Sequence, residues 1–527
     1  MKKRTTLWSC ILAVSILTVI SGCSVTKLEP ISIISGSENK TLEPIIAEFE
    51  KEYRTDVEMH YKGSVDIMMG LQSGTRDYDA VWPANSLWIA LGDTEKNVKH
   101  SKSIMTSPVV FGIKKSVAEQ LGWTDKKVYV KDILESIRSE TFSFMMTSAT
   151  QSNSGASAYM GFLYALTGNP DVLTMDHLHS EELKTDIRDL LNGIHRSSGS
   201  SGWLKELVLE SDYDSMVNYE ALIIEANQAL ISMGREPMYI VYPEDGIVIA
   251  DSPLGYIDRN NPAKEKTFAK LQEYLLSDTV QDKITQLGRR TGLGEITENA
   301  GPDVFNEEWG VNTEKLLSPI KMPAAGIIAE ALYLYQTVFR KPSLTVFCLD
   351  YSGSMRESGG INDLKNAMRM LLDQEIARKY MIQAGEDDIT VILPFSLNIF
   401  DMWVAEGNDQ EEFDKLYGKI ESLRPEGATD IYTPVITALD ILSGVDTLSQ
   451  YMPAIILMTD GESSRGRSYA HLQNAWETYN IDIPVFSIMF GQAVEGQLEQ
   501  VSDLTRGRVF DGKHDLVATF RKAKGYN

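Results

Sequence analysis

The sequence is short of two things, cysteine and positive charge. Only three cysteines occur in 527 residues, Cys10, Cys23 and Cys348, so no framework of several disulfides can hold the chain together. Lysine and arginine number 50 against 74 aspartate and glutamate, which leaves a formal net charge of −24 at pH 7. A basic face that follows a phosphate backbone is therefore not expected. We predict no nucleic-acid partner and attribute the acidity to solubility.

Sequence motifs of catalysis are also missing. The chain has no Walker loop, no His-Glu-x-x-His and no Gly-x-Ser-x-Gly elbow. Cys348 lies in an apolar run and no partner histidine is marked in the sequence, so we predict a small core residue there. The expected function is binding rather than catalysis, with no catalytic residues.

The amino terminus has an apolar run, but a short one. Lys2-Lys3-Arg4 precedes a mostly apolar stretch from Leu7 to Ile20, which is too short for an ordinary membrane span and is typical of an export signal. Ile20-Ser21-Gly22-Cys23 then resembles the lipobox of bacterial lipoproteins. The resemblance implies a signal at 1–22, lipid on Cys23, a tether at 24–30, and a protein held on the extracytoplasmic face of the cell membrane. Cleavage by ordinary signal peptidase is the alternative.

The length of the chain predicts more than one hydrophobic core. Short strand patterns such as Ile31–Ile34 and Asp79–Trp82 alternate with helical patterns, which indicates a parallel α/β sheet. We predict three parts: a region at 31–300, a linker with one helix at 301–342, and a carboxyl-terminal domain at 343–527.

Small polar residues follow the strands of the 31–300 region, close to the predicted helix starts. Such positions can bind a small anion through free backbone N–H groups and the helix dipole. The alternative is that these side chains only cap helices. Arg289 and Arg290 would favour an anion, whereas Glu220 and other acidic residues nearby would disfavour one. The candidate ligand-binding residues are Ser37, Ser64, Asn85, Ser107, Asn153, Ser154 and Tyr219.

This region resembles the type 2 periplasmic solute-binding proteins, above all the relatives of the molybdate and sulfate binders. The resemblance is carried by Thr106–Gly112, Gln151–Gly155 and Tyr239–Gly246, the first and last of which look like crossings between two lobes. It implies lobe one at 31–105 plus 245–300, lobe two at 106–240, and a cleft for a small solute such as an oxyanion. Residues 196–202 are expected to form a flexible surface loop of lobe two.

Three stretches of the carboxyl-terminal domain carry oxygen side chains at the ends of apolar strands or the starts of helices. Asp350-x-Ser352-x-Ser354 follows the strand pattern Leu344–Leu349, and Asp460 follows Ala454–Thr459. Thr429 precedes a helical run, with Asp430 beside it as an expected helix cap. Open α/β sheets place ligands at the carboxyl ends of strands, and oxygen donors with few charges suit a hard divalent cation.

These three stretches together resemble the metal-ion-dependent adhesion site of von Willebrand factor A domains. The resemblance implies a doubly wound, Rossmann-like domain with Mg²⁺, or Mn²⁺ or Ca²⁺, at the site. It implies that Ser352, Ser354 and Thr429 coordinate directly, that Asp350 and Asp460 act through water, and that a protein partner supplies an acidic group. The expected whole is a lipid-anchored binding protein with a solute cleft; the alternative is the solute-binding component of an ABC-type transport system.

Overall fold

The computed structural model describes residues 28–74, 77–292, 296–297, 300–314, 317, 319–461, 463, 465–490, 495–512 and 516–525. The predicted signal, Cys23 and the predicted tether up to residue 27 lie outside these residues. No helix in the described part of the chain is long and apolar enough to cross a membrane.

Strands and helices alternate along most of the described chain, as α/β architecture requires. The strands are β1 (Ile31–Ser35), β2 (Val57–Tyr61), β3 (Ala80–Trp82), β4 (Val98–Ser103), β5 (Ser107–Lys114), β6 (Phe144–Thr147), β7 (Ile194–Ser198), β8 (Ser215–Tyr219), β9 (Met238–Val241), β10 (Ile249–Ala250), β11 (Pro253–Ile257), β12 (Ser343–Asp350), β13 (Ile389–Phe395), β14 (Trp403–Glu406), β15 (Met452–Thr459), β16 (Val485–Met489) and β17 (Arg508–Asp511).

The α-helices are α1 (Glu43–Tyr53), α2 (Ser64–Gln72), α3 (Ser86–Gly92), α4 (Lys115–Gln120), α5 (Val130–Arg138), α6 (Asn153–Leu166), α7 (Met175–Leu178), α8 (Glu181–Asn192), α9 (Ser201–Glu210), α10 (Glu220–Ser232), α11 (Pro262–Leu275), α12 (Asp278–Gln286), α13 (Ala325–Leu334), α14 (Gly353–Glu357), α15 (Gly360–Leu372), α16 (Gln374–Lys379), α17 (Gln410–Ser422), α18 (Tyr432–Ser443), α19 (Tyr469–Tyr479), α20 (Glu495–Thr505) and α21 (Leu516–Gly525). Short 3₁₀ helices cover Ser37–Leu42, Glu307–Trp309 and Leu448–Gln450, and a π-helical turn covers Tyr335–Phe339.

Lobe one is built on a sheet in the order β2-β1-β3-β11-β4. The first three strands are parallel, and β11 returns from later in the chain to run antiparallel to β3 and β4. Helix α1 turns Ile45, Ile46 and Phe49 towards the sheet, where they join the buried side chains of β1 in one apolar cluster. The spacing of these three residues is that of one helix face.

Lobe two is built on a second sheet, in the order β10-β5-β8-β6-β7 with β9 also paired to β5. The chain enters this lobe between β4 and β5. The return crossing predicted at Tyr239–Gly246 is wrong, because β9 pairs with β5 in the register Phe111↔Val241 and β10 stays in the same sheet. The chain crosses back at residues 251–252, between β10 and β11.

The segment at 196–202 is another correction, since the expected flexible surface loop is largely buried. Ser198 and Ser201 are fully or almost fully buried, and Ser200 accepts a hydrogen bond from the backbone N–H of Trp203 at the start of α9. Arg196 donates to the carbonyl oxygen of Arg506 in the carboxyl-terminal domain at 2.6 Å. The docking of that domain covers a serine-rich stretch that looks exposed by composition alone.

The carboxyl-terminal domain has a sheet in the order β14-β13-β12-β15-β16-β17, parallel except for β14 at one edge. Alternate residues of β12 enter different apolar clusters: Phe347 and Leu349 join one, and Val346 and Cys348 the other. Both faces are therefore covered, which explains the continuous apolar run. Cys348 is buried and free, and burial raises the pKa of its thiol, so it is a core residue as predicted.

The helical segment that follows the first of these strands, at residues 360–379, is interrupted. It forms α15 and α16, and Asp373 separates them because its carboxylate accepts hydrogen bonds from the N–H groups of Glu375 and Ile376, at 3.1 and 3.0 Å. A side chain that satisfies two amides starts a new helix in a new direction.

The carboxyl-terminal domain is seated against both lobes. Arg521 of α21 pairs with Asp66 of lobe one (Nε–Oδ1, 2.7 Å) and donates to the carbonyl oxygen of Thr150 in lobe two, also at 2.7 Å. The linker helix α13 packs on α6, where the Tyr159 hydroxyl donates to the carbonyl oxygen of Ala331 at 2.8 Å. The three sheets therefore meet at one junction.

Candidate metal centre and interlobe cleft

The strand order brings the predicted metal ligands to one edge of the sheet. β12 and β15 are parallel neighbours, with Leu349 opposite Met458. Asp350 ends β12 and Asp460 directly follows β15, so the two carboxylates leave the sheet at the same edge. Both side chains are buried, which keeps them in fixed positions.

The Asp350 carboxylate is held by two protein hydrogen bonds. Its Oδ1 accepts from the backbone N–H of Ser352 at 2.7 Å, and its Oδ2 accepts from the hydroxyl of Thr459 at 2.6 Å. Thr459 is a residue that the sequence prediction did not include. It fixes the orientation of Asp350 from the neighbouring strand.

The two predicted serines connect Asp350's loop to Asp460. The hydroxyl oxygens of Ser352 and Ser354 lie 2.9 Å apart, and the Ser354 hydroxyl donates to Asp460 Oδ1 at 2.9 Å. The other oxygen of Asp460 accepts from Ser358, also not predicted. Three of the five predicted ligands therefore form one continuous chain of hydrogen bonds.

The loop that carries Thr429 is tied to the first loop through its backbone. The N–H of Gly353 donates to the carbonyl oxygen of Gly427 at 3.0 Å, and the N–H of Glu426 donates to that of Tyr351 at 2.8 Å. Gly427 has φ of +83°, a conformation that glycine adopts without strain. No hydrogen bond from a described residue engages the Thr429 hydroxyl, although the residue is buried.

Asp430 is a helix cap, as expected. Its Oδ1 accepts from the N–H groups of Tyr432 and Thr433 at 3.0 and 3.1 Å, and its Oδ2 accepts from the Thr433 hydroxyl and from the N–H of Arg467. With these bonds made, its carboxylate stabilises the start of α18 and the loop before α19.

The electrostatics of this edge suit a bound cation. Burial raises the pKa of Asp350 to about 6, and the nearby negative charge of Asp460 adds to the rise, against hydrogen bonds that lower it. A divalent cation would offset the cost of holding two carboxylates here. All donors are oxygen atoms, the ligands that Mg²⁺ and Ca²⁺ prefer. The described residues contain no group of three or more His, Cys, Asp or Glu that could hold a metal, so the hydroxyls are essential to this set.

In the N-terminal region, several of the predicted ligand-binding residues have structural hydrogen bonds. Ser64 accepts from the N–H of Ala84 at 3.0 Å, and Asn85 accepts from the N–H of Leu87 at 2.9 Å as the cap of α3. Ser37 accepts from the hydroxyl of Ser200 across the lobes at 2.9 Å. Asn85 is therefore a helix cap, as the alternative interpretation of these residues predicted.

Of the other four predicted residues, Ser107, Asn153 and Tyr219 lie where the lobes meet, whereas Ser154 is bonded within lobe two. Asn153 accepts from the indole N–H of Trp88 at 2.6 Å and donates to the Tyr219 hydroxyl at 3.0 Å. Ser154 is hydrogen-bonded to Thr147 and Ser201, both at 2.8 Å. Ser107 and Tyr219 line an interlobe cavity of about 20 Å³, room for about one water molecule.

Both arginines of the cleft are neutralised by glutamates. Arg290 forms a buried bidentate pair with Glu220, at 2.7 and 2.8 Å, and the Tyr242 hydroxyl donates to the same carboxylate. Arg289 pairs with Glu225 at 2.5 Å and donates to Thr41 at 2.7 Å, which joins lobe two to lobe one. Neither arginine is left to attract an anionic solute.

Glu38 is the unexpected member of the cleft. It lines the interlobe cavity, and its Oε1 is buried without a hydrogen-bond partner among the described residues. Burial raises the pKa of Glu38 to about 7, although its own backbone N–H and the Arg289 charge lower it. The only sequence signal was its place directly after the Ser35-Gly36-Ser37 loop.

Comparison with known families separates the two halves of the chain. Residues 31–290 match the model of the bacterial extracellular solute-binding proteins, and residues 345–462 match that of the von Willebrand factor type A domain. The chain joins these two kinds of module. The fold class predicted from sequence is confirmed, with a periplasmic-binding-protein-like region followed by a parallel-sheet domain, called the VWA domain below.

Three solved structures to which the chain is similar illustrate the range of its matches. The sulfate-binding protein SubI of Mycobacterium tuberculosis H37Rv is 14% identical, with 57% of this chain and 96% of that chain covered at a TM-score of 0.38. AfuA of Actinobacillus pleuropneumoniae, a periplasmic binding protein, is 12% identical, with coverage of 59% and 98% and a TM-score of 0.44. A von Willebrand factor type A protein of Catenulispora acidiphila is 18% identical, with coverage of 36% and 43% and a TM-score of 0.30. Among curated proteins the chain has no match.

Proposed function

We propose that this protein is an extracytoplasmic binding protein in which the VWA domain docks a protein partner through a divalent cation. The observation that carries the proposal is the hydrogen-bonded chain Ser352–Ser354–Asp460, set beside Asp350 at one edge of the sheet. Hydroxyls that now bond one another and a carboxylate are positioned to turn their oxygen lone pairs to a cation.

The donor set also defines the partner. With Ser352, Ser354 and Thr429 as direct ligands, the cation keeps most of its charge and needs a further oxygen donor. An aspartate or glutamate of the partner completes the coordination. The cation supplies charge and orientation, and no bond is broken in the process.

Calorimetry of the full-length protein tests this function. Mg²⁺ at about 100 times its dissociation constant should stabilise the wild type by about 2.7 kcal/mol, and Asp350→Ala should lose this gain. Asp373→Ala is the matched control, because it removes a helix-capping carboxylate of the same domain outside the site. Equal Mg²⁺ affinity in wild type and Asp350→Ala would refute the metal site.

Partner binding has its own test. An envelope protein captured by the wild type in Mg²⁺ should be released by a chelator and should not be captured by Asp350→Ala. Capture that is the same in chelator and in the variant would mean that docking does not use the cation.

For the 31–290 region we propose that the lobes open to bind a small polar solute in the interlobe cleft, since the cavity as it stands has room for about one water molecule. Glu38 faces the cavity and both arginines are paired, so the cleft is better suited to a hydrogen-bond donor or a cation than to the oxyanion first expected. Thermal-shift screening of the full-length protein against cationic, neutral and anionic solutes tests this. Stabilisation by anions alone, unaffected by Glu38→Gln, would contradict it.

Anchoring is the remaining part of the proposal. The signal pattern and Ile20-Ser21-Gly22-Cys23 favour lipid attachment at Cys23, and a match to extracellular solute-binding proteins favours a place outside the cytoplasm. Cys23→Ala should leave the protein unprocessed or release it to the soluble fraction. Unchanged fractionation and processing would contradict the anchor.

A further inference from the structure

A second cavity lies where lobe two, the linker and the VWA domain meet, and its charge is opposite to that of the whole chain. Its volume is about 50 Å³, and its lining includes Arg340, Lys341 and Lys524. No carboxylate belongs to the described residues that line it. In a chain of net charge −24, three cations around one cavity without a lining acid is an uneven distribution.

Three buried hydroxyl residues of lobe two also belong to the polar part of the lining, together with Tyr335, Ser343 and two glutamines. Ser148 and Thr150 follow β6, Ser197 lies at the end of β7, and all three are buried. The hydroxyl oxygens of Ser148 and Thr150 are 3.1 Å apart. The carboxyl ends of parallel strands are where open α/β sheets place ligands.

One of the three cations is already neutralised. Arg340 forms a bidentate pair with Asp388, at 3.0 and 2.5 Å. Burial alone would raise the pKa of Asp388, but Arg340 and the charge of Lys524 together lower it to about 2. Asp388 therefore remains ionised, and its negative charge compensates the positive charge of Arg340.

The two lysines have no such partner. The Lys341 ammonium group makes neither an ion pair nor a hydrogen bond with a described residue. Lys524 donates to the carbonyl oxygen of Ile382 at 2.8 Å and forms no ion pair with a described residue. Burial lowers the pKa of both, that of Lys524 to about 8. Both side chains are only partly exposed, and an ammonium group with reduced hydration is stabilised when an anion is brought to it.

Two other cavities at the lobe junctions differ in this respect. The cavity of about 370 Å³ between the lobes and β17 has four cationic residues in its lining, but Asp66, Glu206 and Asp511 line it too. The interlobe cavity has both Arg289 and Glu38 in its lining. The excess of positive charge is a property of the cavity that contains Lys341 and Lys524.

We propose that this cavity binds one small tetrahedral oxyanion, with inorganic phosphate or sulfate as the class, between Lys341, Lys524 and the hydroxyls of Ser148, Thr150 and Ser197. A volume of about 50 Å³ is several times what one water needs. The ligand contacts lobe two, the linker and the VWA domain at once, so its binding holds the solute-binding region to the VWA domain.

Titration calorimetry of the full-length protein at pH 7, with ionic strength held constant by chloride, tests the proposal. Phosphate should bind with a stoichiometry of one, and sulfate should compete. Lys341→Gln and Lys524→Met should each weaken phosphate binding at least about 10-fold, because each removes a charged donor. Lys379→Gln, an exposed lysine of α16, should leave phosphate affinity unchanged.

Two further variants separate this site from the others. Asp350→Ala should bind phosphate as the wild type does, and so should Ser107→Ala in the interlobe cavity. The proposal is overturned if the folded wild type shows no saturable binding of phosphate or sulfate up to about 10 mM. It is equally overturned if both lysine variants bind as the wild type does, or if Ser107→Ala is the variant that loses binding. Lys341→Gln should fold even if Lys524→Met does not, because Lys341 is partly exposed.

Discussion

The carboxyl edge of the VWA sheet and the cleft between the two lobes both have polar residues where strands end, yet the polar residues act differently. At the VWA edge, Ser352, Ser354 and Asp460 are linked to one another by hydrogen bonds. In the cleft, Ser64 and Asn85 bond to backbone groups, one of them the carbonyl oxygen of Ile249 in the other lobe, and the arginines are paired with glutamates. A polar residue at a strand end is therefore a stronger ligand candidate where several such side chains bond to one another than where each one bonds to the backbone.

The largest expected effect concerns the buried pair of the cleft. Arg290→Ala should destabilise the protein by about 3–5 kcal/mol, because Glu220 is completely buried and would keep an uncompensated charge. Denaturant unfolding measures it. Lys283→Ala, which removes an exposed ion pair with Glu48, should change little. The double variant Arg290→Met with Glu220→Gln should recover part of the loss; a mild Arg290→Ala would mean that the cleft arginine is available to a solute after all.

The next effect concerns the metal edge. Removal of a proposed metal ligand should weaken Mg²⁺ binding more than removal of a residue that only hydrogen-bonds to a ligand. Ser354→Ala should weaken Mg²⁺ binding by about 100-fold or more, whereas Ser358→Ala, which only loses a hydrogen bond to Asp460, should weaken it by about 10-fold. Titration calorimetry of both variants measures the difference. Identical affinities in the two variants would place Ser354 outside the coordination sphere.

A pH effect should be found in the cleft. The pKa of Glu38 is about 7 in the folded protein and 4.5 in the unfolded chain. The contribution of neutral Glu38 to the free energy of unfolding is therefore complete near pH 4 and is lost as the pH rises through 7. The wild type should lose about 3 kcal/mol over this range from Glu38. Glu38→Gln should remove that slope, and Glu119→Gln, at an exposed position of α4, should keep it. An unaltered slope in Glu38→Gln would show that Glu38 is solvated.

The smallest expected effect tests whether Asp430, beside the metal edge, is a helix cap or a metal ligand. Asp430→Ala should cost about 1 kcal/mol of stability through loss of the α18 cap, and Asp430→Asn should cost less. Mg²⁺ affinity should stay within about twofold of the wild type in both. A large loss of Mg²⁺ affinity in Asp430→Asn would make Asp430 a ligand.

How far the sequence predicted the molecule depends on the distance between cooperating residues. Asp350, Ser352 and Ser354 lie on one turn, and Asp460 follows a recognisable apolar strand, so their meeting follows from parallel strand order. The seven cleft residues were chosen by the same local signal, but Arg289, Glu225 and Thr41 come from distant segments and decide the charge there. The candidate ligand residues in both places stay predictions.

The sequence alone determined the two-part α/β architecture, because apolar runs, helix periodicity and strand-end motifs are local properties that packing rarely reverses. It also determined the oxygen-rich, metal-compatible character of the VWA edge. Only the tertiary structure decided that the serine-rich segment at 196–202 is buried, that Arg521 contacts both lobes, and that Lys341 and Lys524 share one cavity. Those features depend on surfaces meeting across more than a hundred residues of chain, and burial and charge compensation there are set by which side chains are brought together.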